Sequence, residues 1–199
     1  MLKIYLIIQL LILDLHLIAQ KGIDSTLTLE KKFDNLLNSA NETFNFNGEA
    51  LILQRGKIIL QKGYGWKNAK SKTLNQTNGI FQIGSNTKPF TAIAILKLQE
   101  EGKLSLNDPL KKYLPNYPNG NNITIENLLT HTSGIVSYDV EESDTIAWKP
   151  VSRNEILNYF KDKPLEFKPG SQFKYSNSGY FLLGMIIEKV TGGSYEKAI

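Results

Sequence analysis

The 199-residue sequence predicts a mixed α/β (α+β) fold, an antiparallel sheet flanked by helices and joined to a mostly helical region. Three observations point there. Two β-rich runs, Glu49 to Gln54 and Lys57 to Gly63, flank Arg55-Gly56, which reads as a tight hairpin turn. The stretch from Phe81 to Leu110 opens a long helix after Gly84, with apolar residues at helical spacing. A second helix is expected from about Asn177 to Val190, with Leu182, Leu183, Ile186 and Ile187 on its apolar side.

The chain begins with a segment that reads as a targeting signal. Lys3 supplies a positive start, Ile4 to Leu13 is apolar except for Gln9, and Ala19 offers a small residue for cleavage. The apolar run is short for a membrane span. Residues 1–20 are therefore expected to be a signal peptide, or alternatively an N-terminal anchor, of an exported periplasmic or secreted protein. Residues 21–199 are then expected to be part of a single domain.

Leu27 to Asn41 favours a helix with Leu29, Phe33, Leu36 and Leu37 on one side, and the hairpin follows. The polar stretch Asn68 to Asn78 is expected to be a surface loop. In the central helix, Phe90, Ile93, Ala94 and Leu98 are expected on the apolar side, opposite Lys97, Glu100 and Glu101. Gly102 stands where a left-handed cap ends such a helix, and Pro89 is tolerated in a first turn that has no use for its missing N–H. Prolines and Asn107-Asp108 then suggest a compact connection.

Thr124 caps a short helix through Leu129. His131, in LLTHTSG, reads as a structural histidine whose ring bonds nearby backbone. Ser137 to Trp148 carries Asp139, Glu141, Glu142 and Asp144 and reads as a solvated acidic loop. Ser152-x-x-Glu155 forms a capping box for a helix through Asp162. Pro169-Gly170 makes a turn, and Phe173 to Tyr175 is extended.

Composition excludes several classes of chemistry. Cysteine is absent, which removes disulfides, thiol nucleophiles and thiolate metal sites. Of the two histidines, His16 lies in the N-terminal apolar segment, so a multi-histidine zinc site is excluded from the mature chain. The net charge of +4 is spread thinly along the sequence, with no basic run interleaved with aromatics, so no nucleic-acid partner is expected. Neither a metal nor an organic cofactor is called for, and nothing in the sequence singles out a protein partner.

A hydrolase built from this sequence more readily takes its base from Lys or Tyr than from its histidines, and Ser85 is the candidate nucleophile. Ser85 and Lys88 lie three apart, so on a helix they share a face. A serine hydroxyl needs a base to take its proton, and a lysine serves when desolvation and a neighbouring cation favour its neutral form. A serine on a helix's first turn also places its alkoxide beside the positive end of that helix. Ser-x-x-Lys recurs at Ser171/Lys174 and Ser194/Lys197, but only the first copy combines an apolar approach, a glycine and a strong helix. Tyr175 and Asn177 sit at a loop-to-helix junction, where side chains are held firmly and remain accessible. Tyr117-Pro118-Asn119 matches the same Tyr-x-Asn pattern, so that element is weak alone.

Together the two stretches resemble the serine β-lactamase and penicillin-binding-protein family, in its class C β-lactamase and D-alanyl-D-alanine carboxypeptidase branch. GSNTKPFT matches the family's Ser-x-x-Lys element at Ser85 and Lys88. The likeness continues through LQEEGKLSLNDPLKKYLP and ITIENLLTHTSGI to YSNSGYFLLGMIIEKVTG, whose Tyr-x-Asn is Tyr175 and Asn177. It runs from about Gly48 onward.

The resemblance implies a β-lactamase/transpeptidase-like fold and a serine hydrolase that forms an acyl-enzyme on an amide, ester or β-lactam carbonyl. It makes Ser85 the nucleophile, Lys88 the group that accepts or relays its proton, and Tyr175 a general base and acid. Asn177 becomes a ligand for the substrate amide or the Lys88 amine, and the Ser85 backbone N–H an oxyanion donor. The substrate would be a small molecule or peptide, such as a peptidoglycan peptide or a β-lactam.

The family's third element, a Lys-or-His, Ser-or-Thr, Gly triplet, does not follow Asn177. The sequence therefore looks like the N-terminal part of such a domain, with an incomplete sheet and without the second oxyanion donor. Two strands alone make a marginal sheet with an open edge, so residues 21–199 in isolation are expected to fold poorly. The alternative reading is a non-catalytic homologue that binds peptidoglycan-like ligands or a protein partner.

Overall fold

Local capping chemistry sets the start of the first described helix. Thr28 is extended, and its hydroxyl accepts a hydrogen bond from the Lys31 N–H at 3.3 Å, opening α1 at Leu29–Phe44. In this computed structural model residues 27–138 and 151–199 are described. The expected signal segment and the acidic residues from Asp139 to Trp148 lie outside them. The chain divides into two units, Met1–Gln82 and Ile83–Ile199.

In the first unit, β1 (Gly48–Gln54) pairs antiparallel with β2 (Lys57–Tyr64) across the expected turn. Arg55 and Gly56 both take positive φ, 50° and 76°, the twist that a two-residue hairpin loop requires. Leu53 pairs with Ile58 and Ile52 with Leu60, which leaves Ile59 as the extra residue of a bulge. Asp34 of α1 holds β2 by accepting bonds from Lys62 Nζ at 2.7 Å and the Tyr64 hydroxyl at 2.9 Å. The Lys62 hydrogen bond, with that of Tyr64, holds the Asp34 carboxyl below its usual range.

Two expectations for this unit need correction. The stretch expected to be a plain loop, Asn68 to Asn78, supplies β4 (Thr73–Leu74), which pairs with β3 (Trp66–Asn68) just before it as a second small sheet. The polar residues close this turn themselves: the Asn68 side chain accepts the Ser71 N–H at 3.0 Å, and the Ser71 and Thr73 hydroxyls meet at 2.8 Å. The apolar side proposed for α1 is only partly used. Leu36 is 61% exposed, while Phe33 and Leu37 are half-buried.

The second unit starts with a 3-10 turn, Gly84–Thr87, that runs directly into α2 (Lys88–Glu100). Ser85 therefore precedes the α-helix proper and lies in the tighter turn that leads into it. The far end matches expectation. Gly102 takes φ 68°, its N–H reaches the Gln99 carbonyl and the Lys103 N–H reaches the Leu98 carbonyl, both at 2.9 Å, which is a Schellman cap. The inward face matches the expected one at Leu98, which is buried, and at Ala94, which packs against the core, but not at Phe90 and Ile93. Thr91, Ile95 and Leu98 are buried, whereas Phe90 and Ile93 are 52% and 63% exposed. The helix is apolar almost all round, so spacing alone does not choose a face.

Asp108 organises the connection beyond α2. Its carboxylate accepts the Ser105 N–H and Lys112 Nζ, each at 2.8 Å, and the Tyr113 hydroxyl at 2.5 Å. The capping boxes at Thr124 and Ser152 both form, opening α3 (Ile125–Leu129) and α4 (Arg153–Phe160). The latter stops at Phe160, two residues before the expected Asp162.

The longest helix of this unit is α5 (Asn177–Thr191), capped by Ser176 at its start and by Gly192 with φ 69° at its end. A short α6 (Tyr195–Ala198) follows. Leu182, Leu183, Ile186 and Ile187 of α5 are all fully buried, as their spacing predicts. They join Ile95, Leu98, Leu110, Ile123, Ile125, Leu128 and Phe160 in one core. α5 packs against α3 at Gly179, where even a Cβ would stand in ordinary contact with the Leu128 carbonyl oxygen, 3.4 Å away.

This core gives the second unit its own stabilisation by apolar burial. Replacing Ile186 with alanine is expected to destabilise the protein by about 2–5 kcal/mol, because the cavity lies where α5 meets its neighbours. Urea denaturation of the two proteins measures that loss.

Candidate active site

The start of α2 and the start of α5 bring the sequence-selected residues together. Lys88 is the first residue of α2, and its amine donates to Ser85 Oγ at 3.1 Å and to Asn177 Oδ1 at 2.9 Å. The Tyr175 hydroxyl donates to Ser85 Oγ at 2.8 Å. One serine oxygen thus has an amine on one side and a phenol on the other. All four expected site residues, Ser85, Lys88, Tyr175 and Asn177, belong to this single cluster in the second unit.

The competing motif copies do other work. Ser171 Oγ donates to the Lys168 carbonyl at 2.6 Å, and Lys174 pairs with Glu166. In the third copy, the Lys197 N–H bonds the Ser194 carbonyl at 3.1 Å in the turn that starts α6. Tyr117 is packed into the core, and Asn119 occupies a turn with φ 56°.

The segment that presents Tyr175 and Asn177 is held by residues the motif did not single out. Ser176 Oγ donates to the Ile135 carbonyl at 3.2 Å, and Ser178 Oγ donates to the Val136 carbonyl at 2.7 Å. Ser178 Oγ also accepts the Tyr138 N–H at 2.9 Å, and the Asn177 N–H goes to Ser137 Oγ at 2.9 Å. Ser176 and Ser178 are buried, so these bonds are made away from water and are costly to leave unmade. A serine just before a predicted helix is a capping signal, and that signal was available for Ser176. The pairing of this segment with Ile135–Tyr138 spans about forty residues of chain and has no local signature.

Aromatic groups surround the amine. Lys88 Nζ lies 4.7 Å from the centre of the Tyr175 ring and 5.6 Å from that of Tyr180. Tyr175 is 45% exposed. Ser85, Lys88, Tyr138, Asn177 and Phe181, among others, line a cleft of about 370 Å³. Burial pushes the Tyr175 phenol up, but hydrogen bonding with Lys88 and Ser85 and the charge of Lys88 outweigh it and hold the phenol below its ordinary value.

His131 also belongs here. Its imidazole Nδ1 accepts the Ser176 N–H at 3.1 Å, so it bonds backbone as expected. Its ring lies 4.6 Å from that of Tyr175, much nearer the cluster than its sequence position suggested. Among the described residues there is no cluster of three or more His, Asp or Glu able to hold a metal ion. No helix among them is long and apolar enough to cross a membrane.

The sequence model of the family described as Beta-lactamase matches residues 43–199. This chain belongs to that family. Among its β-lactamase-family relatives is Protein flp of Staphylococcus aureus, 44% identical over 154 residues, which cover 75% of this chain and 31% of flp. The octameric penicillin-binding protein homologue from Pyrococcus abyssi superposes with a TM-score of 0.73 at 37% identity, covering 85% of this chain and 41% of that one. A class C β-lactamase superposes with a TM-score of 0.69 at 28% identity, covering 87% and 48%. The β-lactamase/transpeptidase-like fold is therefore present, and the chain spans about a third to a half of the length of these relatives.

The electrostatics of the cluster give a spectroscopic expectation. The Tyr175 phenol titrates below the ordinary tyrosine value, and replacing Lys88 with methionine moves it upward, because burial then acts without the opposing amine. Ultraviolet difference titration at the tyrosinate band, with the Tyr175→Phe protein as reference, reads both midpoints. A Tyr175 midpoint indifferent to Lys88→Met contradicts the arrangement.

Proposed function

We propose that this chain carries the nucleophilic centre of a serine hydrolase that acts by acyl-enzyme formation on an amide, ester or β-lactam carbonyl. The observation that carries the reading is the double contact on Ser85 Oγ, 3.1 Å from the Lys88 amine and 2.8 Å from the Tyr175 hydroxyl. Membership of the Beta-lactamase family supports the same class of chemistry.

In the acylation step, Ser85 Oγ attacks the carbonyl carbon and the carbonyl π electrons move onto its oxygen. The hydroxyl proton passes to the Tyr175 phenolate, or to Lys88 in its neutral form. The depressed phenol of Tyr175 supports the first route, since an ammonium held against a phenolate stabilises the pair. Collapse of the tetrahedral species breaks the bond to the leaving group, which takes the same proton as it departs. Water then attacks the ester on Ser85, its proton accepted by the Tyr175 phenolate and passed to Ser85 Oγ as the acyl–oxygen bond breaks, which releases the carboxylic acid and restores the free serine and the phenolate.

Asn177 orients the Lys88 amine through its side-chain oxygen, and its amide nitrogen points toward the Tyr138 carbonyl at 3.4 Å. The Ser85 backbone N–H is the proposed oxyanion donor, at the mouth of α2. The substrate is proposed to be a small molecule or peptide, with peptidoglycan peptides and β-lactams as candidates; the penicillin-binding and β-lactamase relatives support the second.

A fluorophosphonate and a fluorescent penicillin test the reading on the natural protein. At least one is expected to label it covalently, with the adduct on Ser85, and Ser85→Ala abolishes the label while circular dichroism shows the fold retained. Tyr175→Phe is expected to slow labelling by about 10²–10⁴-fold, the usual weight of a general base. A folded protein that takes up neither probe overturns the enzyme reading in favour of a non-catalytic binder.

A further inference from the structure

We propose that His131 is a positioning residue for Tyr175, fixing the phenol against Ser85 through three separate contacts on the residues around it. The proposal rests on Tyr175 being the acid–base group of the acylation centre, and it adds a residue to that centre which touches neither substrate nor nucleophile.

The three contacts converge on one tripeptide. The His131 carbonyl accepts the Lys174 N–H at 2.9 Å, just before Tyr175. His131 Nδ1 accepts the Ser176 N–H at 3.1 Å, just after it. Between these two bonds the imidazole lies against the Tyr175 ring, with centroids 4.6 Å apart and planes 32° from parallel. The imidazole also packs against Tyr180 of α5, 5.0 Å away, whose hydroxyl is tied to the Leu129 carbonyl at 3.1 Å. Phe173 meets the imidazole edge-on at 6.0 Å.

One residue makes all three contacts because of its backbone. His131 takes φ 58°, in the left-handed region that a non-glycine residue seldom adopts. Strain of this kind persists where surrounding contacts over-determine it, and it clusters at functional sites.

Protonation supplies the discriminating signature. Nδ1 accepts a hydrogen bond, so the neutral ring carries its proton on Nε2. A proton on Nδ1 removes the acceptor for Ser176 and adds a cation to the cluster. The titratable groups facing the imidazole are Lys88 from α2, Tyr175 from the segment before α5, and Tyr180 from α5 itself. Burial, and then the charge of Lys88, hold the imidazole below its ordinary value, which keeps it an acceptor at neutral pH.

The test compares wild type with His131→Asn, because asparagine tolerates left-handed backbone and offers an amide oxygen to Ser176 but has no ring. The rate constant for fluorophosphonate acylation of Ser85 is expected to fall about tenfold or more, the scale set by small misplacements of a catalytic group, with probe affinity little changed. The wild-type rate is also expected to drop on acidification with a limb that His131→Asn lacks. Equal rates and identical pH profiles overturn the proposal.

A second measurement needs neither the variant nor catalysis. In wild type labelled with 13C at the tyrosine ζ carbon, the Tyr175 signal is expected to shift with the midpoint of the His131 ring titration. A Tyr175 signal that ignores that midpoint overturns the proposal. If neither active-site probe marks Ser85, the hydrolase reading fails while this titration still decides the coupling.

Discussion

The Lys88 amine links two parts of the second unit that are 89 residues apart in sequence, and the site depends on that link. It reaches back one turn to Ser85 and across to Asn177 at the start of α5. A primary amine with several donors on a flexible stem suits this role, since it can serve two oxygens in different directions. Without it, Ser85 keeps only the phenol, and Asn177 loses the partner that turns its amide. The arrangement also explains why the Tyr175 phenol is depressed despite burial: the same amine lies close to its ring.

The apolar core makes such a link geometrically stable. Ile95 and Leu98 on α2 pack in the same cluster as Leu182, Leu183, Ile186 and Ile187 on α5, so the two helices that present the reactive groups share one interior. Close-packed interiors transmit small displacements, and an acylation centre tolerates few of them. At the surface end of α5, buried Ser176 and Ser178 lock the segment to Ile135–Val136 by hydrogen bonds that water cannot replace. The reactive groups therefore stand on helix starts anchored from below by packing and from the side by buried polar bonds.

Features dictated by neighbours in sequence were legible without coordinates. The hairpin at Arg55-Gly56, the cap at Gly102, the Thr124 cap, the Ser152–Glu155 capping box and the buried face of α5 all follow from residues within a few positions of one another. The Ser85/Lys88 contact was legible for the same reason, since three residues make nearly one turn. Other features arise from contacts that no window contains. The buried face of α2 was only partly legible, at Ala94 and Leu98, because Phe90, Ile93, Ile95 and Leu96 surround the helix, and only packing against the core selects Ile95. The β3–β4 pair escaped notice because its strands are only three and two residues long, too short to show an alternating pattern. His131 read as a structural histidine bonded to nearby backbone, and its place beside Tyr175 is set by a contact across 44 positions.

The account holds that Ser85, Lys88 and Tyr175 act as one proton-transfer unit, and a double-mutant cycle tests this most directly. Acylation rate constants at Ser85 are compared for wild type, Lys88→Met, Tyr175→Phe and the double substitution. If the two groups serve one step, the double variant is about as slow as the slower single variant, as expected of residues whose effects are non-additive. If the two losses multiply, Lys88 and Tyr175 act independently, and the shared centre described for Ser85 is contradicted.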